Sequence, residues 1–357
     1  MDTPLLVYAL MYAVPAVSTL AIGAGDPGSA RRHRLGMALL LLAFTVLIGL
    51  RYQVGTDWFN YQRTVNQLTY TSFAGTFAYK DPGFGVLTWI STRLGWGIYG
   101  ADVFCGAVLM MGLRRFAVRQ PDAWLAVTAA VPYLVVVVGM GYVRQAASIG
   151  FILLALSAFE ERRYLRFAAW MTTAVLFHGP ALCVLPLVAA AIARRRAALL
   201  FPLLLIAGIL FPLLLAGRVD ELYRTYIEKE YDSSGAGIRL FMNAIPAALF
   251  LLRRHTFAPD DANRFFWTLA ALVALALFAA LPLFPSSTAL DRVGLYFIPV
   301  QLFVFGRLPS AFGRTPQGIR IVSYLVVLYY GAALFVWLLF ASNAHAWLPY
   351  RFAPFAG

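Results

Sequence analysis

Residues 29–61 read SARRHRLGMALLLLAFTVLIGLRYQVGTDWFNY, and this stretch decides the fold. It opens with three arginines, Arg31, Arg32 and Arg34. Residues 36–50 then carry no charge at all. Arg51 closes the run, a Val-Gly-Thr turn follows, and Asp57 comes next. A basic loop, an uncharged apolar run and a polar turn with aromatic residues are the parts of one membrane crossing.

Composition extends that reading to the whole chain. The sequence is 61% hydrophobic and 13% charged. Soluble domains average about 45–50% apolar and about 25% charged. The 357 residues therefore read as one polytopic membrane domain, 1–357, rather than two or three soluble ones. The first apolar segment lacks a charged leading region, so it reads as a retained span. A net charge of +13 would suggest nucleic acid in a soluble protein. Here it reflects topology, and no nucleic-acid partner is expected. Cys105 and Cys183 lie in apolar segments and form no disulfide framework or metal spacing.

Apolar segments fall near 3–22, 35–50, 98–113, 122–140, 145–159, 166–178, 180–193, 197–216, 237–252, 265–284, 292–306 and 321–341. The expected fold class is an all-α integral membrane protein with about 12 transmembrane helices. The segment 83–97 is too short to cross and reads as an interfacial or re-entrant helix. Every second connection is arginine-rich: 29–34, 114–122, 160–166, 193–196, 253–264 and 306–320. The positive-inside rule puts these loops in the cytoplasm, which leaves both termini on the other side. The outer loops 51–82 and 218–237 would then form the outer, periplasmic face of any site.

Polar side chains gather on that outer face. Arg51 at a span end would snorkel to headgroups or bind an anion. Asp57 would pair with it, cap the next helix or act on substrate, with Gly55 turning the chain between them. Arg144 and Gln145 lie between two apolar runs, where a charge is usually turned to a cavity or a partner. His178 stands at the FHGP break that Pro180 enforces. Asp291 and Arg292 open a later span, and Arg351 lies in an aromatic WLPYRF run. The acidic residues Glu221, Glu228, Glu230 and Asp232 of 218–237 read as a solvated face. No phosphate-binding loop, dinucleotide fingerprint, zinc motif or serine elbow is present, so neither a cofactor nor a metal is expected.

Arginines at headgroup depth suit the oxygens of a lipid pyrophosphate, because the guanidinium fork binds them bidentately. A carboxylate or imidazole nearby can take a proton from a sugar hydroxyl. The same residues carry a resemblance. RYQVGTDWFNY (51–61), KDPGFGVL (80–87), GYVRQAAS (141–148), FHGPAL (177–182) and DRVGLYF (291–297) stand in the order and spacing of the EpsG family of Wzy-type exopolysaccharide polymerases. The resemblance spans roughly Arg51 to Arg351, and R-Y-x-V-G-T-D is its most specific piece. It implies an enzyme of the bacterial inner membrane that joins undecaprenyl-pyrophosphate-linked oligosaccharides at the periplasmic face.

On this reading Arg51, Arg144 and Arg292 bind pyrophosphate, and Asp57 or His178 is the base. Trp58, Tyr61, Tyr142 and Trp347 would stack on sugar rings, with Gln145, Asp291 and Arg351 as further sugar contacts. The partners are lipid-linked donor and acceptor glycans, membrane lipid, and a chain-length regulator and flippase of the same pathway. Two other classes stay open. A lipid-linked oligosaccharide flippase would need a polar path across the bilayer, and the inner halves of the spans are almost uncharged. A membrane O-acyltransferase would need a histidine reachable from the inside, and His178 lies on the outer side of this topology.

Overall fold

The computed structural model describes residues 3–21, 27–193, 208, 235–284 and 287–355. The expected span 197–216, apart from Gly208, and the loop 218–234 with Glu221, Glu228, Glu230 and Asp232 lie outside the described residues. Among the described residues the fold is helical, with one isolated antiparallel bridge between Arg51 and Phe352. Two compact units are present. The first comprises residues 1–178 and 313–357, the second residues 179–312.

Eight helices of the first unit precede residue 178: α1 Thr3–Ala21, α2 Pro27–Gly49, α3 Trp58–Thr69, α4 Pro82–Arg93, α5 Gly97–Ala117, α6 Ala123–Gly141, α7 Val143–Glu160 and α8 Tyr164–Phe177. The second unit contributes α9 Leu185–Ala193, α10 Ala236–Leu252, α11 Asp261–Ala280 and the segment α12 Ser287–Phe305. The first unit is completed by α13 Pro316–Phe340.

Six helical segments are long and apolar enough to cross a membrane: α5, α6, α7, α11 with its last turn to Leu283, α12 and α13. Leu5–Ala21, His33–Gly49, Gly179–Ala193 and Ala236–Leu252 are apolar but shorter. The chain is thus a multi-pass membrane protein, with six such spans among the described residues where the sequence suggested about twelve in all. The short helix expected near 83–97 is α4, and it ends earlier. Gly95 and Gly97 adopt φ of +75° and +51°, a left-handed turn that separates it from α5.

Two helices form the centre of the first unit. Every residue of α6 from Trp124 to Gly141 is buried, as is α7 from Gln145 to Phe159. A helix that is apolar all round is one that other helices surround. Its second half, Val131–Val138, is wound as a π-helix that begins next to Pro132, whose ring nitrogen cannot donate. Helices α5 and α7 cross at two glycines. A Cβ on Gly150 would lie 2.7 Å from the Val108 carbonyl oxygen, so only a bare backbone fits. Small residues let membrane helices approach this closely.

Candidate functional site

The site starts at the end of α2. Leu50 and Tyr52 pair with the C-terminal strap: Ala353 N–H donates to Leu50 O at 2.8 Å and Tyr52 N–H to Arg351 O at 2.9 Å. Gln53 and Gly55 then adopt φ of +54° and +94°, which folds the chain into a tight turn. Gly55 N–H donates to Ala346 O at 2.8 Å. Its α-carbon lies against the backbone of Met140 and Gly141, and a Cβ there would strike the Met140 carbonyl. Gly141 in turn lies under the Trp347 indole, 2.6 Å from where its own Cβ would sit. RYQVGTD thus meets GMGY and AHAWLPYRF backbone to backbone at Gly55, and the Trp347 indole lies on the Gly141 backbone, which is why glycine stands at 55 and 141.

Arg51 is 0% exposed. Its Nη1 donates to Asp102 Oδ2 at 2.8 Å and to Ile48 O at 2.6 Å, and its Nε donates to Val54 O at 3.0 Å. The side chain therefore satisfies one of the last carbonyls of α2 and the Val54 carbonyl of the turn, and it neutralises a carboxylate in α5. Its expected contact with pyrophosphate is absent from this geometry, because the guanidinium reaches no open surface. The suggested pairing with Asp57 is corrected as well: the partner is Asp102. Asp57 precedes α3 but makes no capping bond with its side chain; it accepts from Asn60 Nδ2 at 3.2 Å.

Arg144 is placed differently. The backbone breaks at Tyr142, and α7 starts at Val143, so Arg144 sits in the first turn of α7. The positive end of a helix dipole disfavours a cation there by about 0.3–1 kcal/mol and favours an anion. Asp81, directly before α4, offsets this by accepting from Arg144 Nη1. The guanidinium lies 5.6 Å from the Tyr61 ring centroid and 5.9 Å from that of Phe84, within cation–π range. Its side chain keeps 12% exposure, and its buried Nε–H has no acceptor among the described residues. Burial pushes the Tyr61 phenol well above its ordinary pKa, against the pull of Arg144, so its hydroxyl stays a neutral donor.

His178 is brought to the same helix ends. It is buried, in extended backbone after α8, and its N–H donates to Ala174 O at 3.0 Å. Gly83 of the KDPGFG turn packs on the two residues before it. A Cβ on Gly83 would come within 3.1 Å of the Leu176 carbonyl and 3.0 Å of the Phe177 ring. Ser148 of α7 donates to Ala174 O at 2.8 Å. Segments 51–61, 80–87 and 141–148, together with Phe177 and His178, therefore converge in the first unit, although far apart in the chain.

Other expected site residues fall in several surroundings. Trp58 is buried against Tyr52 and Phe59, and Gln145 is buried. Tyr142 is half-buried at the break before α7. Trp347 is fully buried, with its indole N–H donating to Val136 O at 3.0 Å, so the sugar-stacking role expected of it is overturned by packing. Arg351 is exposed and donates to Gln53 Oε1 at 3.1 Å. Asp291 and Arg292 belong to the second unit. There Asp291 takes a two-pronged ion pair from Arg239, both bonds 2.7 Å. Beneath it Asn243 donates to Gly294 O at 2.7 Å and accepts from Gln301 at 2.6 Å.

Sequence reasoning passed over Asp81, Asp102, Asn243 and Gln301. Asp81 had a readable signal, as a carboxylate inside the KDPGFG piece. Asp102, in GADVFCG, had none, because one aspartate does not interrupt an apolar run.

With this geometry established, the chain can be set beside known proteins. The sequence profile of the EpsG family matches residues 35–352. No curated protein and no solved structure matches the chain.

Proposed function

This chain belongs to the EpsG family of exopolysaccharide polymerases, and we propose that it joins undecaprenyl-pyrophosphate-linked repeat units at the periplasmic face of a bacterial inner membrane. The observation that carries the proposal is Arg144. It is a guanidinium at a helix N-terminus, cradled by Asp81, Tyr61 and Phe84, with a buried N–H still to be satisfied. A buried donor without an acceptor costs about 1–3 kcal/mol, and a phosphate oxygen would remove that cost.

In the reaction, a hydroxyl oxygen of the acceptor unit attacks the anomeric carbon of the donor chain. The bond from that carbon to the pyrophosphate oxygen breaks, and undecaprenyl pyrophosphate leaves with the electron pair. Arg144 and the first-turn dipole of α7 stabilise the departing negative charge. The hydroxyl proton passes to Asp57 or His178, the two candidate bases. Arg51 acts one step back. By fixing the turn 51–57 through Val54 O and Asp102, it sets where Asp57 stands. Arg292, Asp291 and Arg351 remain candidate contacts for a second phosphate or for sugar.

Cells lacking the protein should accumulate single repeat units on lipid at the outer face. Asp57→Asn and His178→Gln, each returned to such cells, separate the two bases: the variant of the true base restores no polymer. Single units trapped inside would instead indicate a flippase, and full polymer lacking acyl groups an acyltransferase.

A further inference from the structure

We propose that the groove between the C-terminal end of α5, the last turns of α7 and the first half of α8 is a binding site for one anionic phospholipid. It lies at the arginine-rich loops, at the other end of α7 from Arg144. Arg144 and Ala158 are fourteen residues apart on that helix, roughly 21 Å at 1.5 Å per residue.

The groove has a volume of about 520 Å³ and two chemically distinct ends. Arg115, Glu161 and Arg166 line one end, and Leu154, Ala158 and Trp170 line the other. Along α8 the lining runs from Arg166 to Thr173, about 10 Å of helix. Trp170 is fixed by stacking on Phe151, with ring centroids 5.8 Å apart and planes at 19°. A ligand that fills this shape has a compact polar head and an apolar body.

Charge decides the sign of the head. Glu161 accepts from Arg115, from Arg119 at 2.6 Å and pairs with Arg163 at 3.3 Å, so its single charge is shared among three arginines. Glu160 is held by Arg119 at 3.1 Å. Arg166 is exposed and, among the described residues, pairs with no carboxylate. The mouth therefore keeps uncompensated positive charge where the loops meet the headgroup layer. A phosphate between Arg115 and Arg166, with an acyl chain along Leu154, Ala158 and Trp170, satisfies both ends. Anionic lipid is attracted by about 1 kcal/mol per such arginine, close to fivefold in affinity.

The test uses the full-length protein, purified and stripped of lipid. Native mass spectrometry then follows added phosphatidylglycerol, phosphatidylcholine with the same acyl chains, and inorganic phosphate. One phosphatidylglycerol should be retained in preference to phosphatidylcholine, and inorganic phosphate should not displace it. Arg115→Ala with Arg166→Ala should weaken retention by roughly 25-fold, the product of two fivefold losses. Ala169→Trp, at an exposed position of the groove wall, should weaken it without altering charge. Arg114→Ala, an exposed arginine outside the groove, should have no effect. Equal retention of both lipids, displacement by inorganic phosphate, an unaffected Ala169→Trp, or an equal loss with Arg114→Ala would each overturn the proposal. None of these readouts depends on polymerase activity.

Discussion

Arg51 and Arg144 look alike in the sequence, each a lone arginine at the edge of an apolar run. Their surroundings assign them different work. Arg144→Lys keeps the charge but loses the fork, so polymer formation should fall nearly as far as in Arg144→Ala while the protein still inserts at normal abundance. Polymer yield measured beside membrane abundance checks this, and a fully active lysine variant would leave Arg144 only a packing role. Arg51→Ala should act on stability. It strands Asp102, which is 0% exposed, and breaking a buried pair in this way costs roughly 3–5 kcal/mol. Replacing both residues, Arg51→Met with Asp102→Leu, should recover much of the lost thermal midpoint in detergent, since matched apolar residues often replace a buried pair without loss. That Arg144 would have a partner was legible, because its depth demanded one. The identity of that partner was not, since Asp81 precedes it by 63 residues. No local rule links the two; only the packing of α4 against the other helices does.

Helices were the most legible level. Expected spans 98–113, 122–140 and 145–159 correspond to α5, α6 and α7, with ends shifted by a few residues. The chain signals these through uninterrupted apolar runs, which need no tertiary information. The π-wound half of α6 and the break at Tyr142 were not legible. The π-wound stretch Val131–Val138 begins next to Pro132, and the break at Tyr142 follows the Met140–Gly141 backbone on which Gly55 and Trp347 pack. The α5–α7 crossing makes the corresponding prediction. Gly150→Leu would force the α7 backbone away from Val108 and Leu109, and overpacking of this kind costs about 1–3 kcal/mol or more. A lowered thermal midpoint should result, whereas Ala147→Gly in the same helix should cost only about 1 kcal/mol. Equal midpoints for the two variants would mean that the close crossing contributes little.

At the scale of the molecule, the arginine loops set the expected orientation. Alternating basic connections would place both termini on the periplasmic side, and a reporter fused after Gly357 should then be active only in its periplasmic form. Activity of a cytoplasmic reporter there would reject an even number of crossings with an outer start. The central claim is chemical, however, and topology alone cannot carry it. Family membership gives an exopolysaccharide polymerase, and the proposal places the leaving pyrophosphate at the Arg144 cradle. The most direct measurement supplies the purified, reconstituted protein with its lipid-pyrophosphate-linked repeat unit alone. The product is then resolved by size. A ladder of oligomers, with release of one lipid pyrophosphate per added unit and no nucleotide requirement, is the expected result. Wild-type protein that leaves the repeat unit unchanged, while binding it and remaining folded, would contradict the account.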